Sequence, residues 1–259
     1  MFKEKAKFLQ SDKRNACKMD LLERTENENR HPWELSRTRC ILDIIKKYNI
    51  ETIADIGAGD RFFTSNLSPY IGTLYAIDVG YDEKNDMIGD ICFLNDISKL
   101  PLLRGKCGLT LMDVLEHVED DVAFLEKALS KCVGGRVFIT VPAFQFLFSK
   151  YDAFLKHFRR YDRKQLLNLI NSQNLHIEKC HYFYASLFLV KLLCLPFGKK
   201  KENTHSLGTW RFGEKHILTK IIYTILNFDF LMCSLLAKLH IYLPGSSLLA
   251  VCRKQECCG

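Results

Sequence analysis

Two stretches carry residues whose types and spacing could do chemistry. LMDVLEHVEDD, residues 111 to 121, sets five carboxylates and one histidine directly after an apolar run. Such a cluster suits a metal site, an acid/base pair or a charged helix start. IADIGAGDRFFTSNL places Asp55, Gly57 and Gly59 where a strand would end and a helix begin, so backbone N–H groups and small residues would let a ligand come close. A dinucleotide fingerprint calls for a third glycine at position 62, which here is Phe62, so a diphosphate cofactor is disfavoured. An acid two positions before the first glycine repels a pyrophosphate but suits a cationic amino group. Asp78 closes the next apolar run, where an acid can accept both hydroxyls of a ribose or, alternatively, serve the turn ahead of Gly80.

The elements that must position these residues follow from periodicity. From Trp33, the residues Leu35, Cys40, Ile41, Ile44 and Ile45 recur at helical spacing and fade at KKYN. Short β-rich runs then alternate with helical periods: ETIADI, TLYAIDV, ICFLND, GLTLMDV and RVFITVP. This alternation predicts βαβ units and a mainly parallel α/β sheet with helices on both faces. Asp120 and Asp121 precede the periodic helix VAFLEKALSKCV, which stops at Gly134 and Gly135, so they read as caps for orphan N–H groups at the positive end of its dipole. A helix KQLLNLINSQ, a strand HIEKCHYF, an apolar stretch from Tyr182 to about Leu243 and a last strand SLLAVCRK complete the chain. Neither apolar segment reads as a membrane span, because the first is short and holds Lys191 and the second carries Asp229, whereas a span needs about 20 apolar residues. Residues 186–243 are therefore expected to form a helical insertion or lid that packs on the sheet or lies at a membrane interface.

Composition bounds the reading. The chain has 259 residues, 47% of them hydrophobic, enough to bury a substantial core in one large domain. Residues 1–34 read as a polar lead-in and 35–259 as the domain. A net charge of +7 suits an anionic partner, with its densest runs at KEKAK and Lys199 to Lys201. The N-terminus has no apolar signal core, which predicts a cytoplasmic, reducing compartment for the 11 cysteines, most of them buried thiols. No Cys/His zinc spacing appears, and the Cys257 and Cys258 tail reads as disordered rather than as lipid-bearing.

Taken in order, Asp55-Ile-Gly57-Ala-Gly59, Asp78, Asp96-Ile97 and Asp113-Val-Leu-Glu116-His117 resemble the successive strand-end motifs of class I S-adenosylmethionine-dependent methyltransferases. The resemblance covers roughly residues 35 to 185 plus the last strand. It implies a Rossmann-like, seven-stranded sheet with a helical insertion before the last strand, and S-adenosylmethionine as cofactor. It further implies that Asp55 with Gly57, Ala58 and Gly59 holds the methionine part, Asp78 the ribose, and Asp96 and Ile97 the adenine edge. Met112 and Asp113 would form the pocket floor. The family often has glycine where this chain has Arg61, a residue that could meet the cofactor carboxylate instead.

Methyl transfer requires an acceptor held in line with the sulfonium and often relieved of a proton. His117 is placed as a base for a hydroxyl or acid acceptor, beside Glu116, and His157 could reach the same mouth; each could equally brace the loop. Arg159 and Arg160, in a loop similar to that of a subgroup found near lipid or surface-sugar biosynthesis, could clamp a carboxylate or phosphate, or simply pair with Asp162. No metal is expected. The alternative is a resemblance to metal-dependent small-RNA methyltransferases, in which Asp113, Glu116, His117 and His157 would hold Mg²⁺ or Mn²⁺. The expected activity is O-methylation of a small, lipid-like or glycan-related acceptor, with a membrane surface as a further partner. The rivals are a metal-dependent RNA methyltransferase and a catalytically silent cofactor-binding or membrane-docking scaffold; no DNA partner is expected.

Overall fold

A computed structural model describes residues 29–82, 87–194 and 210–254. Most of the expected polar lead-in, Lys199 to Lys201 and the Cys257 and Cys258 tail lie outside the described residues.

Helix α1 (Pro32–Ile45) starts where proline's fixed φ suits a first turn, and His31 with Glu34 forms a capping box around the orphan N–H groups. The chain continues through β1 (Thr52–Ile56), α2 (Phe62–Leu67), β2 (Thr73–Ile77), β3 (Met87–Ile88), β4 (Ile91–Leu94), β5 (Leu103–Arg104) and β6 (Cys107–Met112). There follow α3 (Asp121–Ser130), β7 (Cys132–Val133), β8 (Arg136–Pro142), α4 (Lys150–Phe154), α5 (Arg163–Ser172) and β9 (Leu175–Phe183). Helices α6 (Ala185–Cys194) and α7 (Ile217–Lys238) precede the last strand, β10 (Ser247–Lys254).

The main sheet runs β3-β4-β2-β1-β6-β8-β10-β9. Strands β4, β2, β1, β6 and β8 are mutually parallel, while β10 is antiparallel to both its neighbours. The sheet therefore has eight strands where the sequence predicts seven. The added one is the two-residue edge strand β3, folded back on β4 with Met87 opposite Cys92 and Ile88 opposite Ile91. Gly89, at φ +63°, supplies the left-handed turn that this tight hairpin needs. So short a strand leaves no alternating pattern for periodicity to detect.

Side chains alternate across the sheet as strand geometry requires. In β1, Ile53 joins a core with Ile41 and Ile45 of α1, whereas Ala54 and Ile56 join one with Leu125 and Leu129 of α3 and Leu166 of α5. Helix α7 lies on the α1 side, burying Leu226, Phe230 and Cys233. Ser36 of α1 donates to Asn227 of α7 at 3.1 Å. Strand β10, inserted between β8 and β9, is buried on both faces from Leu248 to Cys252, which explains its uninterrupted apolar run. Six of the eight described cysteines are buried.

Candidate active site

The C-terminal ends of β1, β2, β4, β6 and β8 lie along one edge of the sheet, because these strands run parallel and in register. In open α/β sheets this edge is where ligands bind. The turn after β1 is made by Gly57 (φ +72°) and Gly59 (φ +47°), and a Cβ on Gly57 would lie 2.5 Å from Val114 Cγ2. Gly57 is therefore required twice, for its left-handed backbone and for the closeness of the segment that follows β6. Gly57 and Ala58 donate their N–H groups to Ile77 O at 2.8 and 3.0 Å, stitching the loop to the end of β2.

Asp78 stands just past β2 and is 8% exposed. Its Oδ2 accepts from Gly59 N at 3.0 Å and its Oδ1 from Gly80 N at 2.8 Å, so it serves both the glycine loop and its own turn. A carboxylate has about four lone-pair positions, leaving Asp78 capacity for further donors. Asp55 faces inward: it is 2% exposed and accepts from Thr64 Oγ1 at 2.5 Å and Thr110 Oγ1 at 2.7 Å. Burial pushes its carboxyl up to about 6, against the pull of those two hydroxyls. It braces the loop from behind rather than opening onto the mouth.

Past β4, Asp96 caps a short 3-10 turn through Ser98 N at 2.6 Å, and those bonds, aided by Lys127, hold its carboxyl down near about 2. Ile97 is buried beside it. Asn95, which the sequence motifs do not single out, has a buried Oδ1 without a hydrogen-bond partner, an acceptor suited to an incoming amino group. Arg61, at φ +72°, lays its guanidinium over Phe93 at 4.3 Å and Tyr81 at 4.9 Å, at the β2/β4 side. On the other side Arg37 of α1 pairs with Asp113 Oδ2 and lies 4.8 Å from the Trp33 ring centre. Sequence spacing gives no sign of Arg37, since its partner lies on a distant strand end.

The stretch after β6 resolves into three environments. Met112 is partly buried, and Asp113, at φ +56°, is tied by Arg37 and by Thr140 Oγ1 at 2.9 Å. Glu116 is fully buried in the 3-10 turn Leu115–His117, and its carbonyl accepts from Phe158 N at 2.7 Å. His117 stands edge-on to His157, with ring centres 4.5 Å apart. Burial and then the neighbouring His157 hold the His117 imidazole neutral, its pKa lowered to about 4. Its Nδ1 is buried without a hydrogen-bond partner. Asp120 caps α3 through Ala123 N at 2.9 Å, the structural role read from its position. Asp121 goes further, taking Tyr161 OH at 2.7 Å and Arg159 at 3.1 Å.

One atom each from Glu116, His117 and His157 lies within 4.8 Å of the others, a set that could receive a cation. Asp113 does not join it, because Arg37 and Thr140 take its carboxylate elsewhere. His157 is oriented by Asp152, its Nδ1 3.0 Å from Oδ1. Burial opposes ionisation of Asp152, yet the hydrogen bond from His157 and the Arg160 charge hold its carboxyl well below the usual range.

Arg159 and Arg160 meet partners other than either the external anion or the Asp162 that the sequence offered. Arg160 is 7% exposed and forks onto Asp152 at 2.8 and 3.0 Å, so the carboxylate it clamps belongs to the chain. Arg159 is spent on Asp121 and on the carbonyls of Val118 and Glu119. Beyond β8, Phe144 stacks on Tyr182 at 4.7 Å and meets Phe188 of α6 at 5.2 Å, with Phe146 at 5.3 Å, forming an aromatic wall past the ends of β8 and β9.

No protein-family model matches this chain, and no curated protein matches its sequence. Solved structures do. Phosphoethanolamine N-methyltransferase 2 of Haemonchus contortus, in complex with phosphomonomethylethanolamine and S-adenosylhomocysteine, aligns over 97% of this chain and 61% of its own (12% identity, TM-score 0.52). In complex with S-adenosyl-L-methionine the same enzyme aligns over 86% and 53% (13% identity, TM-score 0.50). A geranyl diphosphate methyltransferase, with GPP and sinefungin, aligns over 86% and 78% (12% identity, TM-score 0.51). The chain thus has the Rossmann-like fold of the S-adenosylmethionine-dependent methyltransferases.

Proposed function

We propose that the protein is a methyltransferase that takes its methyl group from S-adenosylmethionine and delivers it to an oxygen of a small, lipid-like or glycan-related acceptor. The observation that carries this reading is the union, at one sheet edge, of a glycine loop pinned by Asp78 with a neutral His117 that faces His157. Structural neighbours that hold S-adenosylmethionine, S-adenosylhomocysteine or sinefungin support the cofactor.

The residues present fit that cofactor. The Gly57, Ala58 and Gly59 backbone would admit its methionine part, Asp78 has lone pairs left for ribose hydroxyls, and Ile97 with the unpartnered Asn95 Oδ1 suits an adenine edge and its amino group. Met112 would lie under it, and Asp113, held by Arg37, would set the floor. Bound there, the cofactor supplies a methyl on a sulfonium already activated as a leaving group. The chain's work is positioning, exclusion of water and proton removal. His117 is neutral near pH 7 and so can take the acceptor's hydroxyl proton as the oxygen attacks. His157, fixed by Asp152, and Glu116 shape the same mouth.

The aromatic wall of Phe144, Phe146, Tyr182 and Phe188 supports an acceptor with an apolar body. Calorimetry with S-adenosylmethionine and S-adenosylhomocysteine tests the first step: absence of binding overturns the methyltransferase reading there. Labelled cofactor incubated with lipid, RNA and soluble cell fractions then identifies the acceptor class.

A second reading, metal-assisted methylation of RNA, is favoured by the closeness of Glu116, His117 and His157. It predicts turnover that requires added Mg²⁺ or Mn²⁺ and label confined to the RNA fraction.

A further inference from the structure

The net charge and the exposed apolar surface coincide in one part of the chain. Residues 185 to 243 hold eight Lys and Arg against three Asp and Glu, so five of the seven net positive charges fall in less than a quarter of the sequence. Three of these lysines, Lys199 to Lys201, stand in the stretch joining α6 to α7, outside the described residues. Within the described part, α7 is two-faced. At about 100° per residue, Ile217, Leu218, Ile221, Ile225, Phe228, Leu231, Met232 and Leu235, with Leu239 at the C-cap, fall within an arc of about 140°, and all nine are exposed. Thr219, Leu226, Phe230 and Cys233 are buried on the opposite side.

Within α7 the exposed stripe itself carries no acid, although Glu214 stands just before the helix. Lys220 and Lys238 are exposed and share one flank of the arc, where their stems can lie along apolar material while their ammonium groups reach outward. Asp229, the one acid in α7, turns inward and accepts from the N–H groups of Ala185 at 3.0 Å and Ser186 at 2.7 Å, capping the start of α6. The apolar exposure continues past the helix at Ile241, Tyr242 and Leu243, and on α6 at Leu189, Val190 and Leu193.

We infer that α7 docks the protein on an anionic membrane surface, lying in the plane of the interface with its exposed stripe among the acyl chains. Its length of 22 residues and a mean hydropathy of 1.5 over 18 of them match a spanning helix by length and composition. A span, however, needs apolar surface all round, and α7 commits one face to α1 and the sheet core through Leu226, Phe230 and the Ser36 to Asn227 bond. A second copy of the chain is the poorer occupant, because symmetric pairing of the stripe would bring Lys220 and Lys238 of one α7 beside those of the other. An anionic bilayer satisfies the apolar stripe and the charge at once. This docking goes beyond methyl transfer and does not depend on it.

Flotation of the full chain with vesicles of equal parts phosphatidylglycerol and phosphatidylcholine tests the inference without cofactor or acceptor. The protein is expected to float with these vesicles, to float far less with phosphatidylcholine alone, and to release as ionic strength rises. Phe228→Ser with Ile221→Ser, both at exposed positions, should weaken binding by roughly tenfold or more. Lys220→Glu with Lys238→Glu should weaken it by about 30-fold. Thermal melts of the variants confirm that the fold is kept. The inference is overturned if the chain stays at the bottom of the gradient, if either double variant floats like the parent, or if a stable dimer that Phe228→Ser dissociates takes the place of vesicle binding. S-adenosylmethionine calorimetry on the same samples reads the methyltransferase proposal separately.

Discussion

Asp55 is buried at 2% exposure with its carboxyl raised from an ordinary 3.8 to about 6, the cause being desolvation that two threonine hydroxyls only partly offset. At about 1.4 kcal/mol per pKa unit, keeping it ionised inside the fold at pH 7 costs on the order of 3 kcal/mol relative to the unfolded chain. Because the folded pKa lies above the unfolded one, the stability Asp55 contributes is fully present below about pH 4 and is lost as pH rises through about 6. Asp55→Asn keeps the shape, cannot ionise, and can still engage Thr64 and Thr110, whose hydroxyls rotate to accept as well as donate. The unliganded variant is therefore expected to melt about 6–12 °C higher than the parent at neutral pH, at about 2–4 °C per kcal/mol for a chain of this size. The gain should shrink toward zero near pH 4, where the parent's carboxyl is protonated. On the proposed cofactor reading, S-adenosylmethionine binding should weaken in the same variant, which lacks the carboxylate behind the glycine loop. Scanning calorimetry at the two pH values, with and without cofactor, reads all three effects. A variant that melts lower at neutral pH, or gains equally at both, would refute the reasoning, for the buried charge would then not be a burden on the fold.

Gly57→Ala should destabilise by about 1–3 kcal/mol, since its Cβ meets Val114 Cγ2 at 2.5 Å and its φ is +72°. Val114→Ala on top should restore only part of that in a denaturant melt, because the backbone strain persists. Asp78→Ala, which removes the acceptor for Gly59 N, is expected to weaken S-adenosylmethionine binding by roughly tenfold or more in calorimetry. His117→Ala should leave that affinity unchanged and lower turnover by about 100-fold. With its pKa lowered to about 4, His117 stays neutral through the physiological range, so the parent's rate should show no inflection near pH 6.5 that is owed to this residue. Asp152→Asn leaves the buried Arg160 without its counter-charge and should cost about 3–5 kcal/mol in chemical denaturation.

Strand ends, the glycine turn and the caps were legible because each is written in neighbouring residues. β1, β2, β4, β6 and β8 appear in the sequence as short apolar runs, and Asp120 as the acid ahead of a helical period that it does cap. The helix start in LMDVLEHVEDD follows from the same local signals, whereas its division into a floor and a mouth is what the resemblance to methyltransferase motifs implies. β3 escaped because two residues carry no period.

What the sequence determined by itself was the order of the longer secondary elements, the sheet edge at which the glycine turn falls and the chemical types gathered there, since periods of 2 and 3.6 and the φ demands of Gly57 are local properties of a chain. Tertiary structure alone decided how those types are spent. It turned Asp55 inward and gave Asp113 to Arg37. It closed Arg160 onto Asp152, and left α7 with one face in the core and the other in the open. These outcomes depend on which distant side chains converge when helices pack on a sheet, and a buried charge must find its partner wherever the fold brings one within reach.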